Sequence, residues 1–534
     1  MESRVWWRFF ANRGLLCYIV LIALFFCGFL RVVVIATTDY KGVLESHGRL
    51  KLEITSLRGT VYDHNMVPLT NQKTKIIAAV SPDESTKHTL RAMLSENEYK
   101  NLLIRLNGNK PVLCEIPKEI NCDGIISTTV FYDDEPVIAP HIIGYTNRDN
   151  NGVSGIQAAY NALLKSDDLA YFSFACDGLG NVLKGVEPEV YNNTSVVANG
   201  VVTTLDIKIQ TIIEETANSL TKGAIVVAEA DTLKIRGMVS RPNFNNLELD
   251  KYLNAPDSPL FNRAINCYSV GSCFKPCVAA AAIENKLGYT KYNCVGNMQI
   301  IDRTFNCHER NGHGTLDLRY ALANSCNTYF FNLALKTGGE TVYKMADSLN
   351  FGRKIKLCDG IYTAKGNIPK SEALKNEAHL ANFSIGQGDF NASPVSMLTL
   401  YSAIANGGKY YMPSIVEGTV IDGSFKKYDN GYPARVMNAE TAEKLKSYLQ
   451  TVISEGTGEA AQPKTVTAAG KTATAQTGKF ENGKEILSSW FCGFFPADKP
   501  KYIIIVFGEN LSLQTETCAE IFSKTADKIM ALKR

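Results

Sequence analysis

The chain carries almost no excess of charge of either sign. Its 534 residues hold 56 Lys and Arg against 53 Asp and Glu, a formal net charge of +3. The basic residues are spread along the chain and not gathered in one block. So weak a bias argues against nucleic acid as a partner. Tandem repeats and low-complexity segments are also lacking, which excludes a repeat array or a long disordered linker. The 14 cysteines are scattered and make no disulfide framework for so long a chain. Cys114 with Cys122, and Cys294 with Cys307, are close enough in sequence to close small loops; free buried thiols fit them equally well. What is present is an ordinary globular composition, 45% apolar and 20% charged. The length gives a prior of about three domains, with two well within range.

One apolar run stands out. Gly14 to Leu30 is unbroken, Arg31 interrupts it, and the run resumes to Ala36. As a helix it would be about 34 Å long, enough to cross a bilayer. Arg31 would then lie near one end, where its side chain can reach the interface. A buried core helix of this length and apolarity is improbable on composition. A cleaved signal peptide is the better rival, but the run is too long for a signal core and no small-x-small site follows. Arg4, Arg8 and Arg13 precede the run, so the positive-inside rule places residues 1–13 in the cytoplasm as a short tail. Residues 14–36 are then the transmembrane helix, and nearly all of the chain is extracytoplasmic.

Residues 37–200 read as short strands and turns, with apolar runs such as Thr74–Val80 and Thr128–Tyr132 broken by Asn, Gly, Asp and Pro. From about residue 201 the texture changes. Helical spacing is predicted over Ile207–Leu220, Pro276–Lys286, Leu316–Ala323, Val395–Ala405 and from about Thr515. Strands are predicted at Ala224–Glu229, Val466–Gln476, Trp490–Phe495 and Tyr502–Phe507, with Asn482-Gly483 as a hairpin turn. The expectation is a mixed α+β chain whose carboxyl-terminal part is an antiparallel sheet packed by helices.

Three short motifs carry chemistry. Ser272-Cys273-Phe274-Lys275 opens an Ala-rich helix, so serine and lysine share one face, about 5–6 Å apart at Cβ. A serine hydroxyl needs a neighbouring base, and lysine serves when burial and nearby cations lower its pKa. Ser325-Cys326-Asn327 adds a second hydroxyl, able to relay a proton, and an amide that can both donate to and accept from a substrate peptide. Lys471-Thr472-Ala473-Thr474 lies on a strand that can align an extended peptide and hold its carboxylate. Each motif alone has a bland reading: a capping serine with a solvated lysine, a polar turn, an exposed strand. Cys294, Cys307, His308 and His313 suggest zinc, but their spacing matches no standard ligand pattern, and no metal or cofactor is expected.

In this order the motifs resemble the signature of the penicillin-binding proteins and serine β-lactamases: S-x-x-K, then S-x-N, then K-T-G. The wider resemblance is to the class B penicillin-binding proteins. It extends over Arg58-Gly59-Thr60-Val61-Tyr62-Asp63, His141–Tyr145 with Gly155, Thr204–Gln210, Gly386-Gln387-Gly388, Ala405–Gly408 and Trp490–Pro496. It implies a non-catalytic pedestal over 37–200 and a transpeptidase domain over 201–534. It implies that Ser272 attacks the penultimate D-alanine carbonyl of a peptidoglycan stem peptide, with Lys275 as base and Ser325 and Lys471 as proton carriers. Asn327 would position the peptide, and Thr472, Ala473 and Thr474 would line its binding strand. The backbone N–H groups of Ser272 and Thr474 would form the oxyanion hole. β-Lactams are the implied inhibitors, and a membrane glycan polymerase of the SEDS type is the implied partner. One position departs from the family: its third motif ends in glycine, and here stands Ala473. That methyl is expected to lie in the path of the substrate. Two other readings compete: a β-lactam-hydrolysing or β-lactam-sensing protein of the same fold, and a degenerate structural member of a wall-synthesis complex.

Overall fold

The computed structural model describes residues 2–37, 48–106, 110–177, 181–183, 186–481 and 483–532. Glu2–Thr37 is one helix, and its stretch Gly14–Val34 is long and apolar enough to cross a membrane. None of that stretch is buried against the rest of the chain, as expected of a segment whose partner is lipid.

Two compact units follow from the contacts. The smaller comprises residues 1–55, 75–130 and 169–192. Its core gathers Ala78 and Val80 from the strand Lys73–Val80, Ile116 from Val112–Ile116, and Ile125 from Ile125–Tyr132. These form a three-stranded sheet, covered by Leu90 and Leu102 of the helices Glu84–Arg91 and Glu96–Arg105. Ser95 and Glu98 close the start of the second helix as a capping box, satisfying two free N–H groups. Cys114 and Cys122 are not bridged; all 14 cysteines are free thiols.

The larger unit comprises residues 56–74, 131–168 and 193–534. It therefore takes in 56–74, 131–168 and 193–200, three segments that the sequence reading places in the pedestal. The reason is local: Thr60–Tyr62 pairs in parallel with Gly200–Thr203, and the buried Arg58 binds the Gln157 side chain at 2.6 Å. The dominant element is a five-stranded antiparallel sheet in the order Ile235–Arg241, Gly223–Glu229, Tyr502–Gly508, Lys484–Phe495, Ala469–Glu481. Its strands alternate sides at every residue, and both sides are apolar. Ile503, Ile505 and Phe507 face one core with Trp490 and Phe274; Ile504 and Val506 face another with Phe491 and Phe522. Helices Ile207–Thr216 and Cys518–Ala531 cover the second face, and Lys275–Glu284 and Pro394–Ala405 the first. The Ala-rich helix Lys275–Glu284 is buried almost all round, which small side chains permit. Asn482 of the expected hairpin turn lies outside the described residues; the strands on either side stay paired to Glu481 and Lys484.

Candidate active site

Ser272 sits in a tight turn, Gly271–Phe274, that runs directly into the helix beginning at Lys275. Gly271 has φ +62, a conformation that costs other residues, and its backbone N–H donates to the Gly386 carbonyl at 2.9 Å. The turn lies against the edge strand: a Cβ on Gly271 would be 3.1 Å from the Ala475 methyl and 3.3 Å from the Ala473 methyl. Tyr401 OH donates to the Cys273 carbonyl, and Cys273 Sγ to the Lys471 carbonyl. The turn carrying Ser272 is therefore tied to the edge strand and to the Pro394–Ala405 helix, with Ser272 itself partly exposed.

Lys275 is fully buried. Its Nζ donates to the Ser325 carbonyl at 2.6 Å and to Asn327 Oδ1 at 2.8 Å, with Ser325 Oγ at 3.3 Å. Ser325 itself has φ 52, a left-handed conformation rare for a serine and common at functional sites. Burial pushes Lys275 well below the ordinary lysine range, and the charge on Lys471 pushes it the same way. The acceptors around it, the Ser325 carbonyl and hydroxyl and Asn327 Oδ1, are neutral dipoles and supply no carboxylate to hold a charge. Lys471, also fully buried, donates to the Thr472 carbonyl at 3.0 Å, and burial lowers its pKa to about 8.

A family model described as the penicillin binding protein transpeptidase domain matches residues 223–529. The chain belongs to that family. Stage V sporulation protein D of Bacillus subtilis (strain 168) is 28% identical over 492 residues, covering 85% of this chain and 74% of that protein. Peptidoglycan D,D-transpeptidase MrdA of Acinetobacter baumannii is 27% identical over 437 residues, covering 69% of this chain and 62% of that protein. Among solved structures, penicillin binding protein 3 of Mycobacterium tuberculosis complexed with aztreonam superposes with a TM-score of 0.67 at 21% identity, covering 91% of this chain and 97% of that one. At that identity the likeness speaks for the fold.

Within this penicillin-binding transpeptidase domain the three motifs converge, but not every expected contact is formed. Among the described residues, no hydrogen bond joins the Ser272 hydroxyl to Lys275, and none joins Ser325 to Lys471. Such bonds are often long before substrate arrives. The burial of the edge strand places Ala473. Lys471, Ala473 and Ala475 are buried, whereas Thr472 is half-buried and Thr474 and Gln476 are exposed. The strand's two-residue period therefore turns the Ala473 methyl to the same side as Lys471, against the Gly271–Phe274 turn. Thr457 was missed by sequence reasoning. Its hydroxyl meets Thr472 Oγ1 at 2.9 Å and lies 3.5 Å from Lys471 Nζ, and its N–H donates to the Ala323 carbonyl. The available signal is Gly456-Thr457-Gly458, a polar turn after a long helix and before the third motif. Spacing alone shows no zinc pattern, yet the fold brings Cys294, Cys307, His313 and Cys326 together, with all four ligand atoms within 4.8 Å of one another.

Proposed function

We propose that the chain is a peptidoglycan D,D-transpeptidase that works through an acyl-enzyme on Ser272. The observation that carries this reading is Lys275: a fully buried amine held by Ser325 and Asn327, whose charged form burial and the nearby Lys471 disfavour. Its lone pair takes the Ser272 proton as Oγ attacks the penultimate D-alanine carbonyl. The N–H groups of Ser272 and Thr474 stabilise the tetrahedral oxyanion. The C–N bond then breaks, and the leaving D-alanine amine takes a proton relayed by Ser325 and Lys471. An amine of a neighbouring stem peptide attacks the ester, restores the Ser272 hydroxyl and leaves a new cross-link. Thr472 and Thr474 hold the terminal carboxylate, and the edge strand Ala469–Glu481 aligns the peptide backbone. A β-lactam offers its ring carbonyl to the same serine.

The names of the relatives support this class of reaction, as does the aztreonam complex of a protein with the same fold. The Glu2–Thr37 helix would anchor the protein with residues 1–13 in the cytoplasm, the strand-rich unit would be the non-catalytic pedestal, and a SEDS-type glycan polymerase would supply the strands to be joined. Intact-mass spectrometry after exposure to a labelled penicillin tests the mechanism. A single adduct is expected, mapped to Ser272 and lost in Ser272→Ala. Adduct on another serine would refute the assignment.

A further inference from the structure

Two small ribbons precede the second motif. Tyr292–Cys294 pairs with Gly314–Leu316, and Asn297–Ile300 with Arg303–Asn306. Strand pairs this short do not hold themselves in water, and most side chains of the second pair are exposed. The chain nevertheless crosses itself closely here: Gly312 has φ +83, and a Cβ on it would come 2.2 Å from the Cys294 carbonyl oxygen. This crossing aims Cys294, Cys307 and His313 at Cys326, the residue that caps the helix Asn327–Thr337. All three thiols are buried.

The distances are informative. Cys307 Sγ lies 3.9 Å from Cys326 Sγ, and His313 Nδ1 lies 3.6 Å from both Cys294 Sγ and Cys307 Sγ. Around a tetrahedral zinc ion, with Zn–S about 2.3 Å and Zn–N about 2.0–2.1 Å, sulfurs stand about 3.8 Å apart and sulfur and nitrogen about 3.6 Å. A disulfide needs its sulfurs about 2.05 Å apart. Thr328 Oγ1 donates to Cys294 Sγ at 3.1 Å, the kind of outer hydrogen bond that steadies a thiolate ligand.

We propose that Cys294, Cys307, Cys326 and His313 (through Nδ1) hold one zinc-class divalent cation. Three thiols release their protons as it binds, giving a complex with one net negative charge. Four protein ligands leave no open position, so the ion is structural and not a Lewis acid for substrate. Its effect on the site runs through Cys326, whose neighbours Ser325 and Asn327 hold the Lys275 amine. The cation staples the 292–316 ribbons to the start of that helix and fixes the second motif against the base. Bound thiolates are also kept from pairing with one another outside the cell.

The full chain, purified in detergent under reducing conditions, is analysed for metal and titrated with zinc and with cobalt(II) after chelator treatment. One equivalent per chain is expected. Cobalt should give thiolate-to-metal charge-transfer bands and the intense visible bands of a tetrahedral ion. Cys307→Ser and His313→Ala should weaken binding at least tenfold, while Cys114→Ser binds normally. Acylation by a fluorescent penicillin should fall about tenfold or more on metal removal and return with zinc; this arm rests on the proposed function, whereas the metal arms do not. Under about 0.1 equivalent bound by the reduced wild-type chain, or a six-coordinate cobalt spectrum, would overturn the site. So would a Cys307–Cys326 disulfide in native peptide maps. A tightly bound ion whose removal leaves acylation unchanged would overturn the link to the second motif.

Discussion

The contact between the nucleophile turn and the edge strand can be tested with a double-mutant cycle. Gly271→Ala places a methyl 3.1 Å from the Ala475 methyl and 3.3 Å from the Ala473 methyl, at a backbone φ of +62. The left-handed conformation costs an alanine about 1–2 kcal/mol, and the crowding adds about 1–3 kcal/mol. Both act on the turn that aims Ser272. Acylation by a penicillin should therefore fall by roughly 30-fold to several thousand-fold, at 1.36 kcal/mol per decade. Ala473→Gly alone removes one buried methyl from a strand and should cost about 1 kcal/mol of stability. In the double variant the contact at 3.3 Å disappears while the conformational cost stays. The coupling energy should then be about 1 kcal/mol or more, a recovery of at least fivefold over Gly271→Ala. The assay is the second-order rate of acylation by a fluorescent penicillin, with thermal unfolding of each variant as control. Additive effects within about 0.3 kcal/mol would show that the two positions do not share a contact. Larger gains with bulky than with small β-lactams in Ala473→Gly would refute the inward placement of the methyl.

In the proposed mechanism Lys471 acts as a cation; with its pKa lowered to about 8 by burial, acylation should decline above that pH, well before an ordinary lysine would titrate. Its folded pKa lies below the unfolded value of 10.5, so the unfolded chain binds more protons between the two and stability should rise with pH over that window. Lys471→Met should accordingly abolish acylation yet leave the protein as stable or more stable at pH 7, by up to roughly 3 kcal/mol; a large fall in Tm would contradict this. Thr457→Val should slow acylation about three- to tenfold, through the lost bond to Thr472, with little change in Tm. Deleting residues 1–37 should move the protein to the soluble fraction with penicillin labelling intact. Retention on membranes would point to a second anchor.

Much of this was legible in the chain. The unbroken apolar strands and the three motifs announce the sheet and the site, because their signals are local or ordered along the sequence. What stayed hidden depends on tertiary approach. Cys326 reads as the middle letter of a catalytic motif, and only the crossing at Gly312 makes it a neighbour of Cys294 and Cys307. Arg58 and Gln157 lie far apart in sequence, so the assignment of 56–74 and 131–168 to the larger unit could not be read from composition. The orientation of Ala473 is a different case. Strand alternation, with Lys471 and Ala475 on the same side, was available to place it and was outweighed by comparison with the family's glycine.

The strand Ala469–Glu481 ends the five-stranded sheet, so among the described residues no strand lies beside one row of its amide and carbonyl groups. If stem peptides dock there, their affinity comes largely from main-chain atoms, which every amino acid except proline supplies alike. Substitution can reshape what stands beside such a row, at Thr472, Thr474 or Gln476, but cannot erase the row itself. An inhibitor that draws its binding from these backbone groups would present the cell with a target that point mutation reaches only indirectly. The same permanence carries a liability, since a row able to take a guest peptide could also take a second protein chain, which exposed polar side chains such as Thr474 and Gln476 discourage.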